Sequence, residues 1–362
     1  MRVGLVCPYS LTIPGGVQGQ VLGLARALRT LGHEVRVLGP CDGPPPDAGV
    51  TPLGHSVPTA ANGSVAPLAP DPSAQLRTIR ALRDEDFDVV HLHEPIAPGP
   101  TMTALLFGDA PMVGTFHAAG VSAAYRYLGW ALKRLAARLD HRCAVSPDAQ
   151  RLAQTYLGGR YQLLFNGIEV ERFANGPAHP TEAPTIFFLG RHEPRKGLEV
   201  LLEAMGELPQ NVRLWVGGDG PQTAELQARH ACDPRIEWLG RVSDDERGAR
   251  MRGCTVYCSP SVRGESFGMV LLEAMASGGA LVASDLDGHR NVATDGVDAL
   301  LTPVGDAAAL AKALGRVLDD DGLRRELVVG GRKRADELSM THLAERYVEI
   351  YTALLAGHPA RG

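Results

Sequence analysis

The feature of this sequence that most limits its fold is the alternation of short apolar segments with longer amphipathic ones. Short apolar segments bounded by turn residues are typical of buried strands, and the segments between them have helical spacing. This alternation predicts α/β units with a parallel, doubly wound sheet. The predicted strands are 3–7, 34–38, 88–92, 112–115, 143–145, 162–164, 185–189, 213–216, 236–239, 256–259 and 281–284, and the first-half helices are 17–30, 72–83, 123–140 and 147–156.

The pattern restarts after a polar, proline-rich segment, residues 174–184, which we interpret as an interdomain linker. A chain of 362 residues is also too long for one ordinary core. We therefore predict two Rossmann-like domains, 1–172 and 173–340, with ligands at the carboxyl ends of their strands. Residues 41–52, rich in proline, glycine and aspartate, are predicted to form a loop.

Composition and charge argue against several classes of protein. The net charge of −5 is opposite in sign to the basic surface of a nucleic-acid-binding protein. The sequence has no apolar run long enough for a membrane-spanning helix, and its short N-terminal apolar run is typical of a strand rather than a signal peptide. Cys254 and Cys258 lie in a strand-like run, which favours free thiols over a zinc site or a disulfide. We expect a cytoplasmic protein.

Residues 264–274 contain two carboxylates, Glu265 and Glu273, on either side of a predicted helix start. Ser266 is predicted to cap this helix, so that the N–H groups of residues 266–269 face whatever precedes it. Such a helix start is a natural diphosphate site. Glu265 is then placed to hold sugar hydroxyls, and Glu273, two turns into the helix, to reach a ribose diol. The alternative is a capped surface helix with two solvated glutamates.

Two loops have the composition of phosphate sites. Arg191 and Lys196 follow the strand at 185–189, where a planar guanidinium and a compact ammonium together suit a diphosphate leaving group. Gly15 and Gly16 follow the first strand, where paired glycines let the backbone approach a phosphate. The alternatives are a solvated basic loop and an ordinary tight turn.

Histidines lie at the ends of two predicted strands. His117 follows an apolar strand, where a structural role and an active-site role are both open. His91 and His93 alternate along another strand, and we expect only one of them to face each side of the sheet. Together with Glu94 they suggest a metal site, but no further ligand cluster is visible, so no metal is predicted.

Arg77, Arg80 and Arg83 recur every third residue along one predicted helix, beside an apolar stripe. A basic face next to apolar side chains suits an anionic membrane surface. The alternative is a solvated face over a core stripe, and the acidic residues 84–86 dilute the charge. A second candidate is the following long helix, with Tyr125, Arg126, Tyr127, Trp130, Lys133, Arg134 and Arg138.

Over nearly its whole length the chain resembles glycosyltransferase family 4. The motifs that carry the resemblance are residues 6–10, 14–18, 62–66, 87–95, 115–117, 193–197, 264–273 and 283–287. The resemblance implies the GT-B fold, in which two Rossmann-like domains face a central cleft. It also implies that the C-terminal helix, 341–357, packs back on the first domain.

The family implies roles at matching positions. Four residues would act on the reacting groups: His117, Arg191, Lys196 and Glu265. Donor contacts would come from Gly16, Arg195, Val242, Asp244, Arg247, Ser266, Phe267, Gly268, Met269, Val270 and Glu273, with Val242 and Asp244 at the base. Tyr9, Gln18 and Asn62 would contact the acceptor. The family also implies a configuration-retaining transfer without a bound metal or other cofactor.

More narrowly, the chain resembles the actinobacterial branch that moves mannose from GDP-mannose to the inositol of phosphatidylinositol. That likeness implies a peripheral protein on the inner face of the plasma membrane, attached through Arg77, Arg80 and Arg83. The chain departs from this branch at Pro67, Ala118 and Ser122, where those relatives carry arginine, threonine and lysine. The alternatives are transfer from UDP-glucose or UDP-N-acetylglucosamine to a soluble acceptor, an epimerase of this shape, and a non-catalytic sugar-nucleotide-binding protein.

Overall fold

The computed structural model describes residues 1–61, 64–118, 123–265 and 267–357. The chain forms two compact units. Unit 1 comprises Met1–Gly167 together with the chain from Met340 onward, and unit 2 comprises Ile168–Ser339. This division lies N-terminal to the boundary placed from the sequence because helix α6 (Val170–Ala174) packs on a helix of unit 2.

Unit 1 is built on a parallel seven-stranded sheet in the order β3-β2-β1-β6-β7-β8-β9. Its strands are β1 Arg2–Val6, β2 Glu34–Gly39, β3 Val50–Pro52, β6 Val89–His93, β7 Met112–Phe116, β8 His141–Ala144 and β9 Gln162–Leu163, and its helices are α1 Gly16–Thr30, α2 Pro72–Asp84, α3 Pro100–Phe107, α4 Ala123–Ala136, α5 Pro147–Leu157 and α14 Met340–Gly357. A separate antiparallel hairpin pairs β4 Val57–Ala61 with β5 Ser64–Leu68.

Helices cover both faces of the sheet of unit 1. Alternate residues of β1 pack to opposite sides, Val3 and Leu5 toward α1 and α14, and Val6 toward α2–α5. Helix α14 contributes Tyr347 and Tyr351, both buried, and packs on α1. The last helix of the chain is therefore part of the core of the first unit.

Unit 2 contains a parallel six-stranded sheet in the order β12-β11-β10-β13-β14-β15. Its strands are β10 Thr185–Leu189, β11 Arg213–Gly217, β12 Ile236–Gly240, β13 Val256–Ser259, β14 Ala280–Ser284 and β15 Leu300–Thr302, and its remaining helices are α7 Leu198–Ala204, α8 Thr223–Arg229, α9 Asp244–Gly253, α10 Met269–Ser277, α11 Asp287–Arg290, α12 Ala307–Asp319 and α13 Asp321–Glu337. A short 3₁₀ turn, Pro194–Lys196, precedes α7.

The two sheets confirm the predicted fold class: both units are Rossmann-like α/β structures. Some predicted boundaries were wrong. The predicted loop 41–52 ends in strand β3, and the helix predicted to reach residue 140 ends at Ala136 because turn-type bonds follow it. Among the described residues, every helix is too short or too polar to cross a membrane.

Candidate active site

The two loops singled out in the second half of the sequence follow neighbouring strands of unit 2. From β10 the chain winds outward to β11 and β12, then returns to place β13 on the other side of β10. At such a reversal the loops after the two central strands diverge and leave a crevice, where α/β sheets bind ligands. The loops 190–197 and 260–268 both lie at this point.

Lys196 and Glu265 meet there. The ammonium of Lys196 donates to Glu265 Oε1, and the Ser261 hydroxyl donates to the same oxygen at 2.9 Å. The two charged side chains are only 21% and 12% exposed. A partly buried pair is screened less by water and salt than a surface pair, so each charge holds the other in place.

Gly197 allows the two loops to approach each other. Its φ of +68° is left-handed, and a Cβ at this position would lie 1.9 Å from the carbonyl oxygen of Pro260. Beside it, the Val262 N–H donates to the Arg195 carbonyl at 2.8 Å. Only glycine combines this conformation with so close a contact, which keeps Lys196 beside Glu265.

Helix α10 begins two residues later than the sequence predicted. Its N-cap is Gly268, with φ +78° and no side-chain cap, so the prediction that Ser266 caps the helix was wrong. Ser266 itself lies outside the described residues. Glu273 is consequently one turn, not two, into the helix. Phe267 is buried and Met269 half-buried at this helix start.

Glu273 is paired with Arg247. Their side chains lie 3.3 Å apart, and Arg247 also lies 3.2 Å from Asp244 and stacks over the Phe173 ring. Burial raises the pKa of Glu273, whereas the Arg247 charge opposes the rise. The structure thus brings together Glu273, Arg247 and Asp244, which the family resemblance implies contact the donor nucleotide. The half-buried Val242 lies just before α9.

The remaining basic residues of the first loop differ in their surroundings. Arg191 is exposed, at the end of β10. Arg195 is half-buried and pairs with Glu193 at 2.6 Å. Arg191 therefore has the conformational freedom to meet a ligand, whereas Arg195 is already held within its own loop.

In unit 1 the chain reverses between β1 and β6, and histidines cluster on the strands beside this reversal. His93 Nδ1 lies 2.9 Å from His117 Nε2, and the His91 and His93 rings stack with centroids 4.4 Å apart. We expected His91 and His93 to face opposite sides of the sheet. This expectation was wrong, because residues two apart on a strand share a face. His91 bonds instead to Tyr351 and Thr115, at 2.7 Å each.

Glu94 has an unusual backbone. It is buried, its φ is +52°, and Oε1 accepts the backbone N–H groups of both His117 and Ala118. Burial raises its pKa to about 7 although these two bonds favour the charged form. A strained, buried carboxyl group that fixes the segment after β7 is typical of a functional site.

The acceptor-side residues are only partly described. Asn62 and Ser122 lie outside the described residues. Tyr9 is half-buried, and Gly16 is the exposed first residue of α1. Gln18 is buried, and its Nε2 donates to the carbonyls of Ser10 and Ile13, so it holds the loop after β1. Pro67 lies in β5, and its carbonyl accepts the Ser10 N–H at 3.0 Å.

Comparisons with known proteins identify the family of the chain. Residues 14–172 match the family model described as Glycosyltransferase Family 4, and residues 183–320 match the model of glycosyl transferases group 1. The chain is 40% identical over 363 residues to the phosphatidyl-myo-inositol mannosyltransferase of Mycobacterium leprae, covering 97% of this chain and 96% of that protein. The protein belongs to glycosyltransferase family 4.

A further relative is similar in sequence, and two solved structures share the fold. The Propionibacterium freudenreichii phosphatidyl-myo-inositol mannosyltransferase is 36% identical, over 97% of this chain and 95% of that protein. Among solved structures, Anabaena HepE in complex with UDP and glucose superposes with a TM-score of 0.74 at 17% identity, over 98% of this chain and all of that one. The sucrose-phosphate synthase of Thermosynechococcus elongatus has the same TM-score at 20% identity, over 99% of this chain and all of that one.

Two side chains of this family 4 glycosyltransferase were missed by sequence reasoning. Ser261 carried no motif, yet it bonds Glu265. His289 is fully buried, its Nδ1 lies 2.7 Å from the Ser284 carbonyl, and a Cβ at Gly268 would lie 3.2 Å from its ring. Only the fold brings His289 to the start of α10. Within the described parts of the chain, no group of His, Cys, Asp and Glu is arranged to hold a metal ion.

Acidification is expected to destabilise unit 1 of this family 4 glycosyltransferase. Burial lowers the pKa of both His91 and His117 to about 3, from an ordinary 6.5. Between these values the unfolded chain binds more protons than the folded one, so stability present above pH 6.5 is lost as the pH falls. At pH 5 each histidine contributes a loss of roughly 2 kcal/mol. Glu94 opposes this loss, because its raised pKa makes the folded state take up a proton as the pH falls.

Urea denaturation at pH 7 and pH 5, followed by circular dichroism, measures the effect. The free energy of unfolding should be lower at pH 5, and Glu94→Gln should make the decrease larger by removing the opposing titration. Equal stability at the two pH values in both proteins would contradict the assignment of neutral buried histidines.

Proposed function

We propose that this protein transfers mannose from GDP-mannose to the inositol of phosphatidylinositol, with retention of configuration. The observation that carries the proposal is identity of 36–40% over at least 93% of each relative named phosphatidyl-myo-inositol mannosyltransferase. The geometry of unit 2 supports the donor half of the reaction, since cationic and hydroxyl-binding side chains meet where a Rossmann-like sheet binds ligands.

In the proposed reaction Lys196 and Arg191 stabilise the diphosphate as it departs. The bond between the anomeric carbon and the phosphate oxygen breaks, and the inositol hydroxyl forms the new bond on the same face of the sugar. The hydroxyl proton passes to the departing phosphate oxygen, so that the products are the mannoside and GDP. Preorganised positive charge at a developing anion is among the largest contributions to catalysis.

Two further residues complete the donor half. Glu265, held by Lys196 and Ser261, would accept from the mannose hydroxyls. Glu273 would accept from the ribose diol once it leaves its pairing with Arg247. Both roles need carboxylates on either side of a helix start, and α10 supplies that arrangement.

Product analysis tests the proposed function. The protein is incubated with GDP-mannose or UDP-glucose, and with vesicles that contain phosphatidylinositol or only phosphatidylcholine. Mass spectrometry of the lipids should show a hexose added only with GDP-mannose and phosphatidylinositol. Lys196→Ala serves as the control of strongly reduced activity. Equal or faster transfer from UDP-glucose would overturn the donor assignment.

A third arm of the same assay tests a soluble acceptor. One relative, named D-inositol 3-phosphate glycosyltransferase, is 36% identical over 189 residues, half of this chain. The departures at Pro67 and Ser122 remove cationic partners that would favour a lipid phosphate. Modification of free inositol 3-phosphate in preference to phosphatidylinositol would assign the soluble acceptor.

GDP is expected to bind at least about tenfold more tightly than UDP. The Asp244 carboxylate is held by Arg172 and by Arg247, beside the half-buried Val242. Guanine offers this carboxylate two adjacent N–H donors, and a hydrogen bond to a charged group contributes about 1.5–3 kcal/mol. Calorimetric titration of wild type and Asp244→Asn measures the preference, which should diminish in the variant. Tighter binding of UDP by the wild type would contradict the assignment.

We also propose that α2 attaches unit 1 reversibly to anionic membranes. Arg77, Arg80 and Arg83 are all exposed, and Leu76 beside them is 69% exposed. Arg80 is partly neutralised by Asp84 at 3.1 Å, in a pair whose side chains are mostly exposed to solvent. Such a helix would bring the protein to a lipid acceptor on the inner membrane face without anchoring it.

Replacing the three arginines by serine is expected to lower binding to phosphatidylserine-rich vesicles roughly a hundredfold at low salt. Each arginine near a charged surface contributes about 1 kcal/mol, screened within a Debye length. Vesicle co-sedimentation at low and high salt measures the effect. A matched control removes three exposed cations of unit 2, Lys312, Arg316 and Arg325, and should sediment like the wild type. Equal sedimentation of both variants would mean that the α2 arginines form only a solvated face.

A further inference from the structure

His117, which the family resemblance implies acts at the reacting centre, is hydrogen-bonded to a second histidine. His93 ends β6, is 2% exposed, and its Nδ1 lies 2.9 Å from His117 Nε2. In a bond between two ring nitrogens one donates and the other accepts. The tautomer of His93 therefore determines which nitrogen of His117 carries a proton.

The other ring nitrogen of His93 indicates its tautomer. Nε2 is buried and has no hydrogen-bond partner among the described residues. His93 also lines a cavity of about 10 Å³, at the lower limit of the space one water needs. Apolar side chains such as Leu24 and Leu343 and polar ones such as Gln20 and Asn166 line it as well. A proton on Nε2 would leave a buried donor unpaired, which proteins tolerate less often than an under-satisfied acceptor. The His93 proton therefore belongs on Nδ1.

Both rings are neutral at physiological pH. Burial lowers the pKa of His93 well below its ordinary value, and that of His117 to about 3. Each ring then carries one proton on one of its two nitrogens. The hydrogen bond between the rings fixes the tautomer of both.

We propose that His93 is a positioning residue that donates its Nδ1–H to His117 Nε2 and so leaves the His117 proton on Nδ1. His117 then offers substrate a hydrogen-bond donor rather than a base. This inference rests on the proposed function only through the role at the reacting centre that the family resemblance implies for His117. It agrees with a reaction in which the departing phosphate, not His117, takes the acceptor proton.

Nuclear magnetic resonance of the full chain with ¹⁵N-labelled histidine tests the direction of the bond. Correlation of ring nitrogens with carbon-bound ring protons distinguishes protonated from bare nitrogens, and His117→Gln identifies the His117 signals. We expect Nδ1 to be protonated and Nε2 bare. A proton on His117 Nε2 would overturn the proposal. Because no substrate is used, this result is independent of whether the proposed function holds.

Three variants test the positioning role. His93→Leu removes the donor and should lower kcat tenfold to a hundredfold, with the KM for the donor changed by less than about threefold. His93→Asn keeps an N–H near the position of Nδ1 and should recover most of kcat. The matched control is His91→Gln, since His91 is equally buried and stacked on His93 but bonds to Tyr351 and Thr115. It should lower Tm and leave kcat of the folded protein unchanged.

A folded His93→Leu variant with wild-type kcat would overturn the positioning role. Where that variant does not fold, His93→Asn decides, because a loss of more than tenfold in kcat there would contradict a role as donor. Nucleotide-sugar transfer by the wild type is measured alongside, so that an inactive wild type counts against the proposed function and not against the role of His93.

Discussion

Lys196→Ala is expected to lower kcat by at least about thirtyfold while unit 2 stays folded. The Lys196 ammonium is held by Glu265 at the reversal between β10 and β13, where the leaving diphosphate is proposed to lie. Its interaction strengthens as negative charge builds on the leaving group, so its loss falls on the transition state and corresponds to about 2 kcal/mol. Steady-state kinetics at saturating donor measure the change. Lys312→Ala, an exposed lysine on α12, is the control and should leave kcat unchanged.

Glu265→Ala is expected to lower kcat to a similar extent, because it removes a side chain that binds the sugar and also removes the partner of Lys196. The two side chains are in contact, so their effects should not add. The double variant should be about as slow as the slower single variant. Near-normal turnover of either single variant under saturating donor would mean that the pair lies outside the reacting centre.

Gly197→Ala is expected to destabilise unit 2 by about 3 kcal/mol or more. The left-handed conformation alone costs an alanine about 1–2 kcal/mol. The larger effect comes from its Cβ, which would lie 1.9 Å from the Pro260 carbonyl and would force the loop 260–268 away from β10. Kcat should fall as well, since the same movement separates Lys196 from Glu265. Thermal and urea denaturation measure the stability.

Gly305→Ala separates the two contributions to the loss of stability, the left-handed conformation and the clash with Pro260. Gly305 has a φ of +75°, similar to that of Gly197, but no atom lies within 4 Å of the Cβ position. Its alanine variant therefore carries the conformational penalty without the clash. Equal destabilisation by the two substitutions would show that the approach to Pro260 is unimportant.

The fold was predicted from the sequence wherever elements are strongly patterned. Strands β10 and β13 have the predicted bounds, because short apolar runs between turn residues have few alternative structures. Helix α3 was missed since it is apolar on all sides and has no amphipathic pattern to detect. The β4–β5 hairpin was missed although Asn62 and Gly63 between the strands form a known hairpin signal in sequence.

The candidate site was predicted as a list of residues but not as a set of contacts. Motifs placed Lys196 and Glu265 on the loops after two strands, and the fold puts those strands side by side. Sequence spacing could not show that these two side chains form an ion pair, nor that Arg247 forms one with Glu273. Both contacts join residues far apart in the chain. His93 was missed as a partner of His117 for the same reason.

The position of α14 has a consequence for biosynthesis. The first unit is discontinuous: the whole of unit 2 is inserted between Gly167 and Met340, and Tyr347 and Tyr351 fill the core beside β1. On the ribosome, unit 2 can complete its core while one face of the sheet that was translated before it is covered by α1 but not yet by α14. The N-terminal unit is therefore the last to mature, and truncation before Met340 would leave the first unit incomplete while sparing the second.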